Sequence, residues 1–346
     1  MRYGVWTPLP HTIRPEPLMN EAIRESGTRG LVSGTDKAFR FAVDMIRRAE
    51  DLGFATTLIA ERWIGTDHSA WILASALAAL TSRIELMVAV HPGIITPQVV
   101  AKFAVSLDRI SGGRAAINIV NGWWKEEFEN FGNGAWPPDD DARYRRMAEF
   151  VRVVRGLWNE DTLDFHGEFF RVEHQALPLK SARHPHPPLY AGSRHEPGKE
   201  VIARDCDHWF VDCLSDHRLW EQNLEQVAVT IADMNARAAQ HGRSIGYGMS
   251  CHVVCTDTAD EAIQLADQLA EHGKTDRIAF IAAKALGPGL VGTPDAIAAR
   301  IRRYEAAGVG TLMLHFHPMI EGMQRFADRV MPLLTGPTGS TENPGI

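Results

Sequence analysis

Cysteine is scarce in this chain, with four in 346 residues. That excludes a disulfide-stapled scaffold, and Cys206, Cys213, Cys251 and Cys255 read as reduced core thiols. Cys251 and Cys255 fall on one face of a strand, a spacing that does not match a zinc knuckle. Long apolar runs are missing too: residues 71–80 are the most apolar stretch, about half of the roughly 20 residues that a membrane-spanning helix needs. Basic charge is thin. The formal net charge is -7, and pairs such as Arg47-Arg48 and Arg302-Arg303 never grow into a patch, so a nucleic-acid surface is not expected. After Met1 there is no charged segment followed by an apolar one, which leaves a cytoplasmic protein as the expectation.

What is present is alternation. Residues 3–6 form a candidate strand, followed by a long polar connection over 7–35, and long connections of this kind tend to be functional. Asp36 then caps a helix whose Ala38, Phe41, Ala42, Met45, Ala49 and Leu52 keep helical spacing. Strands are expected at 54–60, 84–90 and 115–120. The helix over 70–82 is apolar on most sides and is expected to be buried, and Thr96-Pro97 opens the next one as cap and first-turn proline. Asp139, Asp140 and Asp141 read as capping acids for a helix over 142–158. Later strands fall at 189–192, 208–213, 246–255 and 311–315. Eight strands with a helix after each give an α/β fold, a (β/α)8 TIM barrel. One domain over 1–335 is expected, with excursions at about 7–35, 159–188 and 273–292 and a flexible tail at 336–346.

Strand ends carry the chemistry in such a barrel, because they open onto the active-site face. The strand over 115–120 leaves the core with Asn118, Asn121, Gly122, Trp123 and Trp124, amides and indoles suited to a flat ligand. His91, His252 and His315 also stand at strand ends and suggest a polar pocket lining. His315-x-His317 resembles a metal pair, but no third ligand stands at a compelling spacing and no metal is assigned. The run from Gly287 through Gly289 to Gly292 matches GxGxxG, yet the helix opens later, at Thr293-Pro294, so it reads as a mobile loop hinge.

The runs GGRAAINIVNGWWKEEFENFG, DARYRRMAEFVRVVRGLW, DFHGEFFRVEH and PPLYAGS resemble the bacterial luciferase-like flavin monooxygenases. The likeness is nearest to the two-component enzymes of alkanesulfonate, dimethylsulfone and pyrimidine breakdown. It implies a barrel that takes reduced FMN from a separate NAD(P)H-dependent flavin reductase and uses O2, through a flavin peroxide, on a small-molecule substrate. It places flavin contacts at Glu61, Arg62, His91, Asn118, Glu127, Arg143, Tyr144, Gly192, Ser193 and Arg194. Trp6, Trp63, Trp123, Trp124 and His315 become pocket walls, and His252, Arg62 and His317 candidate catalytic groups. The alkanesulfonate enzymes carry Arg-x-His where this chain reads Ser250-Cys251-His252, and a tyrosine where it has His317; their cysteine has no counterpart near Asp67. A small organosulfur compound, sulfonate or sulfone, cleaved at C–S, is the expected substrate. An F420-dependent oxidoreductase of the same fold and a monooxygenase acting on a cyclic amide stay open, as do a zinc hydrolase and a non-catalytic flavin carrier. A homodimer or homotetramer is expected.

Overall fold

The computed structural model describes residues 1–9, 34, 36–122, 124–132, 134, 136–137, 139–275 and 283–334. Trp123, most of the first long connection, part of the 273–292 connection and the 336–346 tail lie outside the described residues.

Strand β1 (Arg2–Trp6) leads to helix α1 (Lys37–Asp51), then β2 (Thr56–Ile59), α2 (Ala70–Leu80), β3 (Glu85–Val90), α3 (Pro97–Ser111) and β4 (Ala115–Ile119). Helices α4 (Lys125–Phe131) and α5 (Asp140–Asn159) precede an antiparallel hairpin, β5 (Leu163–His166) and β6 (Arg171–Gln175). The rest alternates: β7 (Leu189–Gly192), α6 (Glu196–Asp205), β8 (His208–Val211), α7 (Trp220–Gln240), β9 (Gly246–Cys255), α8 (Ala259–Thr275), a two-residue β10 (Val291–Gly292), α9 (Pro294–Ala306), β11 (Thr311–Phe316), α10 (Met319–Arg329) and α11 (Met331–Leu334). The parallel order β1-β2-β3-β4-β7-β8-β9-β11 closes on itself, because β11 pairs back onto β1 and β8 onto β9. This is the expected (β/α)8 barrel. Its extra strands are the hairpin inside the 159–188 excursion and β10, which rides on the end of β9.

Closure decides where each side chain goes. Alternate residues of each strand point outward, and Val5, Leu86, Val88 and Ile117 join the large core beneath the helices. The inward set, Leu58, Met87, Ala89, Ala116, Tyr190 and Met313, forms a smaller cluster inside the barrel. Both faces are thus dry, which is why β3 and β4 are buried throughout and read as unbroken apolar runs. At the N-terminal end a polar plug seals the interior. Glu85 takes Arg2 Nη2 at 3.1 Å and Arg183 Nη1 at 3.0 Å, and Arg2 Nη1 donates to the Tyr190 hydroxyl at 3.1 Å. His208 stacks on Tyr190 with ring centres 4.2 Å apart.

Capping follows the sequence: Asp36 accepts from Phe39 N at 2.8 Å and Asp139 from Ala142 N at 2.6 Å. Two expectations need correction. Helix α2 is not wholly buried, since Ile72 is 71% and Leu80 43% exposed; it is apolar all round, but the barrel covers only one side of it. The stretch after Leu286 is not built as a free hinge. Asn223, fully buried, donates to the carbonyls of Leu214 and Gly287, Tyr304 Oη donates to Pro288 O, and Arg300 Nη1 donates to Val291 O.

Candidate active site

A cavity of about 410 Å³ opens at the C-terminal mouth of the barrel, lined among others by Trp6, Leu58, Asn118, Tyr144, Phe210, Ser250 and Met313. All but Tyr144, which reaches in from α5, are inward-pointing strand residues, continued by the loop residues Val120, Asn121 and Gly122 after β4. Gly122 adopts φ +84, and a Cβ there would meet the Phe128 ring at 2.3 Å, so only glycine lets α4 close against the cavity edge.

The lining is flat and apolar with a few unsatisfied polar atoms. Trp6 Nε1, Asn118 Oδ1 and both amide atoms of Asn121 are buried and without hydrogen-bond partners among the described residues. Leaving a buried polar group unpaired costs about 1–3 kcal/mol, and four such atoms around one hollow mark a binding site for a planar, hydrogen-bonding molecule. Trp6 is held by His315, stacked at 4.8 Å and 20°. His315 lies beside His252 on the neighbouring strand, in register and 6.0 Å ring to ring. Burial, reinforced by His252, holds the His315 imidazole well below its usual pKa, so it is neutral.

One rim joins a guanidinium to a helix start. At the β7–α6 turn, Gly192, Ser193, Arg194 and His195 border the cavity where α6 begins, and a helix start offers free backbone N–H groups. Ser193 Oγ accepts from His195 N at 3.1 Å and lies 3.3 Å from the Tyr144 hydroxyl. Gly198 is packed so closely that a Cβ would stand 2.2 Å from Ser193 Oγ and 2.5 Å from the Tyr144 ring.

Other residues picked out from the sequence form a second group beside this one. Arg62 pairs with Glu127 at 3.3 Å, both buried, and Glu127 also accepts from Trp63 N at 2.9 Å. The Arg62 guanidinium lies 5.7 Å from the centre of the Trp124 ring, and Trp63 packs against Phe131. Glu61 accepts from Ser69 Oγ and Ala70 N, capping α2, and burial pushes its carboxyl up to about 7. His91 is pushed down to about 3 by burial and then by Arg62, and its ring meets Phe128 edge-on. Arg143 donates to Gly122 O at 3.0 Å and covers Trp136. The structure therefore brings Trp6, Asn118, Tyr144, Gly192, Ser193 and Arg194 to the cavity. Glu61, Arg62, Trp63, His91, Trp124, Glu127 and Arg143 fall in the adjoining layer. His252 and His315 lie buried behind the Trp6 wall and, like His317, which stands just past β11 before a cis bond to Pro318, are not among the lining residues. Among the described residues no three His, Cys, Asp or Glu groups gather as a metal site.

Sequence reasoning missed Asp212 and Lys284, which face the cavity as a 2.7 Å ion pair. Asp212 was within reach, because it follows β8 two residues after the inward Phe210. Lys284 lies in a connection without periodicity, and nothing local marks it.

The model of the family described as luciferase-like monooxygenase matches residues 19–311. The chain belongs to that family. This luciferase-like monooxygenase is 29% identical over 341 residues to the FMNH2-dependent dimethylsulfone monooxygenase of Pseudomonas putida, a match covering 88% of this chain and 91% of that protein. Among solved structures, monooxygenase RslO1 from Streptomyces bottropensis superposes with a TM-score of 0.73 at 24% identity, covering 96% of this chain and 99% of that one. An F420-dependent secondary alcohol dehydrogenase, in complex with an F420-acetone adduct, gives 0.71 at 18% identity, covering 97% and 99%. At such identities the two structures speak for a shared fold alone.

Proposed function

We propose that this luciferase-like monooxygenase takes reduced FMN from a separate NAD(P)H-dependent flavin reductase and uses O2 to oxidise a small organosulfur compound. The observation that carries the cofactor is the pairing of flat walls and unsatisfied amide and indole atoms with an anion-ready rim, the two halves of a flavin mononucleotide. Bound there, reduced FMN supplies the electrons that activate O2.

The residues divide the work. Ser193, Arg194 and the start of α6 hold the phosphate, with Tyr144 steadying Ser193. Asn118 and Asn121 hydrogen-bond the polar edge of the ring, and Trp6 and Met313 wall it. His315, neutral and stacked on Trp6, fixes that wall, while His252 stands next to it as the candidate proton donor. Leu58, Phe210 and Met313 exclude water, which a reactive reduced cofactor requires. In the adjoining layer the Arg62–Glu127 pair and Glu61 brace the loop after β2.

The substrate reading rests on the dimethylsulfone relative, and the partner chemistry on its dependence on FMNH2. We also place a homodimer contact on α2 and α3. Helix α2 carries no charged residue, and Ile72 and Leu80 are exposed beside Val99, Phe103 and Ile110 of α3, with Trp71 and Phe103 in edge contact. Such a patch marks an interface; its α2 half carries no charge, and the exposed Lys102 and Arg109 of α3 border it.

Anaerobic titration with FMN, FMNH2 and F420, read by fluorescence, tests the cofactor. FMNH2 should bind most tightly, and an oxygen pulse with dimethyl sulfone should release sulfinate. Preference for F420 overturns this reading in favour of a reductase or dehydrogenase.

A further inference from the structure

The ionisable side chains around the cavity are Arg194, His195, Asp212 and Lys284. Arg194 and His195 belong to the rim where α6 begins. The other two neutralise each other: Lys284 Nζ lies 2.7 Å from Asp212 Oδ1. Between them and the Trp6–His315 stack the wall is Ser250, a neutral hydroxyl.

An anionic substrate entering this space meets Asp212 together with Lys284, so attraction and repulsion largely cancel unless it breaks the pair. A neutral molecule with strongly polar oxygens faces no such conflict. The ammonium has three protons and gives one to Asp212; another proton, and the Ser250 hydroxyl, stay available to a sulfone or amide oxygen. The cation that would serve an anion from the adjoining layer, Arg62, is already paired with Glu127 and does not line the cavity.

We propose that the Asp212–Lys284 pair makes this site select a small neutral, oxygen-rich substrate over an anionic one, with the Asp212 carboxylate as the specificity determinant. This rests on the monooxygenase reading above and narrows it from sulfonate or sulfone to the sulfone class. Asp212 acts by cancelling a cation: with the carboxylate gone, Lys284 becomes an open charge facing the cavity, and the preference shifts toward anions.

The test is probe binding by ligand-observed NMR, with and without oxidised FMN, using dimethyl sulfone and methanesulfonate as a neutral and an anionic probe of similar size. The parent should bind the sulfone at least about ten-fold more tightly. Asp212→Asn, which keeps the shape, should raise methanesulfonate affinity about ten-fold, the scale of one charge-assisted hydrogen bond, and leave the sulfone within about three-fold. Lys284→Gln should weaken methanesulfonate further. Equal affinity of the parent for both probes, no binding of the sulfone, or an unchanged ratio in Asp212→Asn overturns the proposal. FMNH2 titration of the same parent protein reads the cofactor assignment separately, so a charge preference without FMNH2 binding removes the cofactor reading alone.

Discussion

The two ends of the barrel handle buried polarity in opposite ways. At the N-terminal end Glu85 meets two guanidinium groups and Tyr190 accepts from one of them, and the plug is closed. At the C-terminal mouth Trp6, Asn118, Asn121 and His315 hold polar atoms with no partner among the described residues. Both ends contain buried donors and acceptors. The difference is one of degree: at the N-terminal end the charged groups satisfy one another and the Thr56 hydroxyl is left without a partner among the described residues, whereas at the mouth unpartnered atoms of Trp6, Asn118 and Asn121 face one hollow, the pattern expected where stability gives way to binding.

Substitutions at each end should therefore read out differently. Glu85→Ala leaves the part-exposed Arg2 and Arg183 beside a vacated acceptor and should cost about 2 to 3 kcal/mol in urea unfolding, the scale of two hydrogen bonds to a charged group discounted for solvent screening, with FMNH2 affinity unchanged. Equal losses of stability and affinity would erase the distinction between the ends.

Glu61 sharpens the contrast from within the upper half, because it is satisfied there yet strained by burial. Its folded pKa, raised to about 7, means that its contribution to stability is complete below the ordinary carboxylate range and is lost as pH rises through 7. Glu61→Gln cannot ionise. The stability of the parent relative to this variant should thus fall by roughly 3 kcal/mol between pH 4 and pH 8, at about 1.4 kcal/mol per pKa unit. A difference that grows with pH would reverse the assignment.

Asn118→Ala removes an unpartnered group, so unfolding should shift by less than about 0.5 kcal/mol. FMNH2 affinity should drop about ten-fold, one hydrogen bond's worth. Trp6→Phe keeps a ring against His315 but deletes the indole N–H, and a two- to five-fold loss of affinity is expected with little change in Tm. Separately, Ile72→Asp should shift the sedimentation coefficient toward the monomer, since it puts a charge into the uncharged α2 face.

The barrel was legible because its strands and helices carry different periods, and because both faces of each strand are buried, giving short apolar runs between glycine-marked stops. The mouth was legible in part. Asn118, Ser193 and Arg194 stand at strand ends, where the fold forces side chains into the cavity. The hairpin at 163–175 escaped because its strands, four and five residues long, are mostly exposed and too short for a two-residue period to stand out. The Asp212–Lys284 pair escaped because its members lie far apart in sequence and meet only through tertiary packing. The exposed side of α2 escaped for a different reason: a helix apolar all round tells how much surface wants covering, not which molecule covers it.

The Trp6–His315 stack joins the first barrel strand to the last. Neither ring has the other until β11 has docked onto β1, a contact between opposite ends of the described chain. While the chain is still on the ribosome, β1 through β9 are made without the wall that Trp6 and His315 complete together. A nascent or broken chain has no finished chamber in which to hold a reduced cofactor, so oxygen chemistry waits for a whole barrel.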